Sequence, residues 1–115
     1  MIIVYDSVTG VGKAFAEKLG YETVSVKDFK GGKAILVTRT SYFGKPPKST
    51  VSVLKKYPCD IIGVVSNGNR TRFKDKFCIS ADILEKEHQA NIIARIDGSG
   101  TQEDVDAVID FIKGL

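Results

Sequence analysis

What most limits this chain is a set of three short stretches with almost nothing polar in them: Ile2-Ile3-Val4-Tyr5, Ala34-Ile35-Leu36-Val37 and Ile61-Ile62-Gly63-Val64-Val65. Runs of four or five apolar residues bounded by turn signals are strand-sized, and a strand that is apolar on both faces has to be covered on both. That is the situation of a central strand in a parallel sheet. Two other segments differ. Glu22 to Val26 alternates, with Val24 and Val26 on one face, and Asn91 to Ile96 is interrupted by Arg95. Their polar residues suit the edges of the sheet.

Helical patterns separate these strands. Lys13 to Leu19 places Phe15 and Leu19 four apart and stops at Gly20. Pro46-Pro47 can open a helix but not continue one; Val51, Leu54 and Tyr57 follow at helical spacing, and Pro58 ends the run. Phe77, Ala81 and Leu84 mark a helix ending near His88. The last helix carries Val105, Val108, Ile109 and Ile112 on one stripe, and Thr101 with Asp104 resembles a capping pair at its start. Lys30 to Lys33 is a turn, so strands 2 and 3 are joined by a short connection. The order β-α-β-β-α-β-α-β-α predicts an α/β fold, a doubly wound five-stranded parallel sheet with helices on both faces. Apolar strands 1, 3 and 4 in the centre and polar strands 2 and 5 at the edges select the order 2-1-3-4-5, the flavodoxin-like arrangement.

The 115 residues make one domain, 1–115, and 43% apolar with 27% charged residues is ordinary for a globular chain. No apolar run approaches the length of a membrane span. The first strand begins at residue 2, which leaves no room for a signal peptide. Cys59 and Cys78 stand far apart, form no metal-ligand spacing or Cys-x-x-Cys pair, and read as reduced thiols of a cytoplasmic protein. A single histidine, His88, argues against a histidine-based metal site, and none is expected. The net charge of +3 does not by itself argue for nucleic acid. Lys45, Lys48, Arg70, Arg72, Lys74 and Lys76 nonetheless gather in or beside two predicted loops, whereas Glu103, Asp104, Asp106 and Asp110 lie near the C-terminus. Either one end of the molecule is electropositive or the charges form a mixed solvated surface.

Chemistry is expected where ligands bind in such sheets, outside the carboxyl ends of the strands at the switch point between strands 1 and 3. The loop after strand 1, Ser7-Val8-Thr9-Gly10-Val11-Gly12, opens a helix. Its free backbone N–H groups, the helix dipole and the hydroxyls of Ser7 and Thr9 suit an anion. The nucleotide-triphosphate loop is excluded, because Gly10 is not followed at the right distance by Gly-Lys-Ser/Thr; so is the dinucleotide fingerprint, because Phe15 stands where the third glycine is needed. A compact site for one phosphate monoester remains, against the plainer alternative of a strand-to-helix turn. The predicted loop Thr38 to Gly44 contains Thr40, Ser41, Tyr42, Phe43 and Gly44, and the predicted loop Ser66 to Phe73 contains Asn67, Gly68, Asn69 and Phe73. Aromatic rings on two sides of a cleft can sandwich a planar heterocycle, with glycines admitting the main chain to its edge. Any one of these rings is as readily explained by packing under a loop. Taken together, a planar ring bearing one phosphate in this fold points to FMN.

Four segments resemble the NrdI family, small flavodoxin-like partners of class Ib ribonucleotide reductase, and particularly its shorter Bacillus-type members: Tyr5 to Gly10, Leu36 to Gly44, Gly68-Asn69-Arg70 with Phe73 and Asp75, and Gly100 to Val105. The resemblance spans nearly the whole chain. It implies an accessory flavoprotein rather than a free-standing enzyme. Reduced FMN would convert dioxygen to superoxide, which would oxidise the dimanganese cofactor of the reductase small subunit, NrdF. It further implies a reductant protein or flavin reductase as electron source, and no nucleic-acid or membrane partner. By position, Ser7, Val8, Thr9, Gly10, Val11 and Gly12 would bind the phosphate. Thr40, Ser41, Tyr42, Phe43 and Gly44 would line one side of the flavin, and Asn67, Gly68, Asn69 and Phe73 the other. No side chain of the protein would act as acid or base, the chemistry being the cofactor's. Val11 stands where the family commonly has Asn, Arg72 adds a residue before Phe73, and Lys74 replaces a frequent Gly. A general electron shuttle and a flavin-free interaction module are the alternatives.

Overall fold

The structure is a computed structural model that describes residues 2–7, 10–39, 47–68 and 79–115. Five strands, β1 (Ile2–Asp6), β2 (Glu22–Ser25), β3 (Gly32–Arg39), β4 (Cys59–Gly68) and β5 (Asn91–Asp97), alternate with helices α1 (Val11–Lys18), α2 (Lys48–Lys56), α3 (Ile79–His88) and α4 (Gln102–Lys113). Every strand pairing is parallel, and the sheet runs β2-β1-β3-β4-β5. The predicted fold and strand order are those observed.

Strand periodicity divides the core into two layers, because successive side chains leave a strand on opposite faces. Val4, Ala34, Leu36 and Val64 point to one face and pack with Leu54 of α2 and Leu84 of α3. Ile3, Ile35, Val37 and Val65 point to the other and pack with Phe15 and Ala16 of α1 and with Val105 and Val108 of α4. The β2–β3 connection has no helix. Val26 and Phe29 from it are buried in the α2–α3 layer and help cover that face.

The pairing register shifts twice, between β3 and β4 at Ala34/Ile35 and between β4 and β5 at Val64/Val65. Gly63 allows the second: a Cβ there would stand 2.5 Å from Ile93 Cδ1 and 3.2 Å from the Phe111 ring. The close approach of Ile93 and Phe111 fills the space a side chain would need.

Strand ends run further than the apolar runs indicate. Thr38 and Arg39 complete β3, and Ser66, Asn67 and Gly68 complete β4, where the sequence suggests loop. Partner groups explain the difference at β3, since the buried Thr38 hydroxyl is hydrogen-bonded to Thr50. Tyr57 is the extended residue that caps α2 and not a member of its helical stripe. Phe77 and Cys78 lie outside the described residues. Among the described residues no helix is long and apolar enough to cross a membrane.

The start of α4 has the expected capping box: Thr101 Oγ1 accepts from the Asp104 N–H at 3.2 Å, and Asp104 Oδ2 accepts from the Thr101 N–H at 2.8 Å. Replacing Thr101 by alanine is expected to lower stability by about 1 kcal/mol in urea unfolding, and Thr101→Ser by much less.

Candidate functional site

The carboxyl ends of β1, β3 and β4 lie side by side, with Asp6 opposite Thr38 and Arg39 opposite Asn67. β1 and β3 are neighbours although β2 intervenes in sequence, so the chain leaves them in opposite directions and a crevice opens between their ends.

The end of β1 and the start of α1 bring hydroxyl and backbone donors to this crevice. Ser7 Oγ accepts from the Gly10 N–H at 3.0 Å, which closes a tight turn and leaves the hydroxyl proton free to donate elsewhere. Gly10 caps α1 in the left-handed region, φ 88°, with no side chain capping the helix. The first intrahelical bond runs from the Ala14 N–H to the Gly10 carbonyl at 2.9 Å. The N–H groups of Val11, Gly12 and Lys13 therefore have no partner within the helix and add to the positive end of its dipole. Gly12 is buried, and a Cβ there would meet Ser7 Cβ at an ordinary 3.6 Å.

At the second strand end, Asn67 donates its side-chain amide to the Gly98 carbonyl, and the Gly98 N–H donates to the Gly68 carbonyl at 3.1 Å. The turn after β5 is thereby fastened to the end of β4. Of the residues expected to bind a cofactor, Ser7, Gly10, Val11, Gly12, Asn67 and Gly68 are thus placed along one sheet edge. Val8, Thr9, Thr40, Ser41, Tyr42, Phe43, Gly44, Asn69 and Phe73 lie outside the described residues, as do Lys45, Arg70, Arg72, Lys74 and Lys76. Lys48, from the same basic set, is exposed on the first turn of α2.

A group of polar residues at the crevice was not singled out by sequence reasoning. Asp6, only 5% exposed, accepts at Oδ2 from Ser49 Oγ at 2.5 Å and from Thr50 Oγ1 at 2.6 Å. Because Thr50 gives its proton to the carboxylate, the Thr38 hydroxyl is the available donor in the 3.1 Å contact with Thr50, and its single proton is shared with the Arg39 carbonyl 3.3 Å away. Arg39 Nε lies 3.5 Å from Asp6 Oδ1; it is buried and makes no hydrogen bond among the described residues, so at this distance it offsets the charge of the carboxylate. The carboxylate also sits at the first turn of α2, where the dipole favours an anion. Adjacency of Asp6 to the phosphate-type loop is the one sequence signal for this cluster; its partners are 43 and 44 residues away.

A groove of about 1040 Å³ between α2 and α3 is lined by Val51, Ile83 and exposed lysines. It lies on a helical flank, and only Lys48 among its residues belongs to the basic set beside the strand ends.

The model of the NrdI flavodoxin-like family matches residues 3–110. Protein NrdI of Bacillus licheniformis is 35% identical over 107 residues, which cover 90% of this chain and 81% of that one. Among solved structures, oxidised Flavodoxin 1 from Bacillus cereus superposes with a TM-score of 0.70 at 16% identity, covering 99% of this chain and 97% of that one. A Fusobacterium nucleatum flavodoxin bound to flavin mononucleotide superposes at 0.67 with 19% identity, covering 98% and 94%. At these identities the two structures speak to the fold.

Gly10→Ala places a Cβ on a residue at φ 88° with nothing within 4 Å of it, so the strain is purely conformational. A stability loss of about 1–2 kcal/mol is expected in urea unfolding.

Proposed function

The chain belongs to the NrdI flavodoxin-like family, and from that premise we propose that it is an FMN-binding redox protein serving class Ib ribonucleotide reductase. The observation that supports the cofactor assignment is the pairing of Ser7, whose hydroxyl proton is not used in its bond from the Gly10 N–H, with the unpaired first-turn N–H groups of α1 at the β1/β3 switch point. Its chemistry fits a phosphate monoester. The Ser7 hydroxyl has a proton to give, the first-turn N–H groups of α1 point outward from a dipole's positive end, and the left-handed Gly10 keeps bulk out of the turn.

In this reading Ser7, Thr9 and the backbone of Gly10 to Gly12 hold the phosphate, and Val11 contributes its N–H where an Asn would add a side-chain donor. Thr40, Ser41, Tyr42, Phe43 and Gly44 bound the ring on one side, and Asn67, Gly68, Asn69 and Phe73 on the other. When bound, FMN supplies one-electron chemistry that yields superoxide from dioxygen for the dimanganese site of the small subunit, NrdF, with electrons from a reductant protein or flavin reductase. The residues' part is to anchor the cofactor, admit dioxygen and set charge. Lys48 with Lys45, Arg70, Arg72, Lys74 and Lys76 would favour the anionic reduced flavin and attract superoxide or an acidic partner surface.

Purified protein titrated with FMN is expected to quench its fluorescence at one equivalent. Ser7→Ala removes a hydroxyl donor to a charged group and is expected to raise the Kd for FMN about tenfold, leaving riboflavin affinity unchanged. Reduced holoprotein, dioxygen and dimanganese small subunit should together give a tyrosyl radical by electron paramagnetic resonance. Bound flavin without a radical would make the protein a general electron shuttle, and no flavin uptake would make it an interaction module. Replacing Arg70, Arg72, Lys74 and Lys76 by glutamine should lower the second one-electron potential of the flavin. An unchanged potential overturns the electrostatic role.

A further inference from the structure

We propose that Asp6 is a positioning residue whose carboxylate holds the phosphate-binding turn and both ends of the 40–46 segment in one frame, and thereby sets flavin affinity. The proposal rests on the FMN assignment above and names a residue cluster that assignment does not use.

The connectivity makes the case. Asp6 is the last residue of β1 and directly precedes Ser7, whose hydroxyl closes the anion-binding turn. Arg39 is the last residue of β3, immediately before the 40–46 segment. Ser49 and Thr50 lie in the first turn of α2, just after it. One carboxylate therefore gathers three chain ends: 2.5 Å to Ser49 Oγ, 2.6 Å to Thr50 Oγ1 and 3.5 Å to Arg39 Nε. No other group among the described residues joins the root of the phosphate turn to both flanks of that segment.

A buried carboxylate is an unusual choice for a mere spacer. An apolar side chain would fill the position at less desolvation cost, because a buried charge is tolerated only when its partners are fixed and complete. The same demand makes the group a good locator. Short charge-assisted bonds to two hydroxyls tolerate little drift, so movement of α2 or of the β3 end relative to Ser7 is resisted at the carboxylate. Arg39 Nε, 3.5 Å from the carboxylate, contributes charge without a hydrogen bond among the described residues. It offsets the negative charge of Asp6 beside a turn that is to receive an anion. Thr38 extends the cluster, its hydroxyl lying 3.1 Å from Thr50 Oγ1 and 3.3 Å from the Arg39 carbonyl, so that β3 and α2 meet at one polar contact.

The test uses the full chain in five forms: wild type, Thr50→Val, Thr50→Ser, Ser49→Ala and Ser7→Ala. FMN and riboflavin affinities are measured by fluorescence quenching, and amide hydrogen exchange of residues 7–13 is measured without flavin. Thr50→Val and Ser49→Ala are expected to weaken both flavins about tenfold, since the ring and the phosphate lose their common frame. Exchange at residues 7–13 should quicken about tenfold in the same variants, although the substitutions lie on another element. Thr50→Ser, which keeps the donor, should restore wild-type values, and Ser7→Ala should affect FMN alone. Ser49→Ala, at a half-buried position, keeps the test open if Thr50→Val does not fold. The proposal is overturned if both variants lose FMN only, or keep wild-type affinity and exchange. If the wild type takes up neither flavin, the FMN assignment falls and exchange decides by itself. Unchanged exchange at residues 7–13 would then overturn the positioning role.

Discussion

Everything in this molecule depends on the central strands being covered on both faces. β1, β3 and β4 have no side that faces water, so their side chains must be apolar in alternation to both layers. Ile3 and Val4 are consecutive and belong to different layers, as are Ile35 with Leu36 and Val64 with Val65. A polar group in the middle of such a strand would be stranded. Polar chemistry is therefore displaced to the carboxyl ends, where the strands emerge from between the helices and chain segments splay apart. The position of the site follows from the same packing rule that builds the core.

At those ends the polar residues are not simply released into solvent. Asp6, Thr38, Thr50 and Ser66 are buried. Asp6, Thr38 and Thr50 form a linked set, with the Thr50 hydroxyl between the Asp6 carboxylate and the Thr38 hydroxyl. The transition from the core to the strand ends is thus a thin shell of linked polar contacts, with apolar layers below and the turn that opens α1 above.

The layers and their order were legible because they are written locally. A run such as Ala34 to Val37 states its burial residue by residue, and Arg95 in β5 marks an edge in the same way. The limits of the strands were less legible: Thr38, Arg39 and Ser66 to Gly68 look like loop until their neighbours are known. The strand-to-helix turn at Ser7 and Gly10 stands out in the sequence because its small residues are contiguous. The Asp6 cluster does not, because Ser49 and Thr50 are unremarkable residues at the start of a helix until β1 and α2 are brought together. Short-range chemistry is visible in a sequence, whereas a contact across 44 positions exists only in the fold.

The outer strands carry a consequence for association. β2 is four residues long, with Glu22, Thr23 and Ser25, and β5 has a register shift against β4 and carries Arg95 in contact with Asp82 of α3 at 2.5 Å. Short, polar or kinked borders are poor templates for a further strand. A protein that docks here is thus directed away from extending the sheet by backbone pairing, toward recognition by helices and loop side chains. Such recognition proceeds without the main-chain hydrogen bonding through which sheets propagate into aggregates.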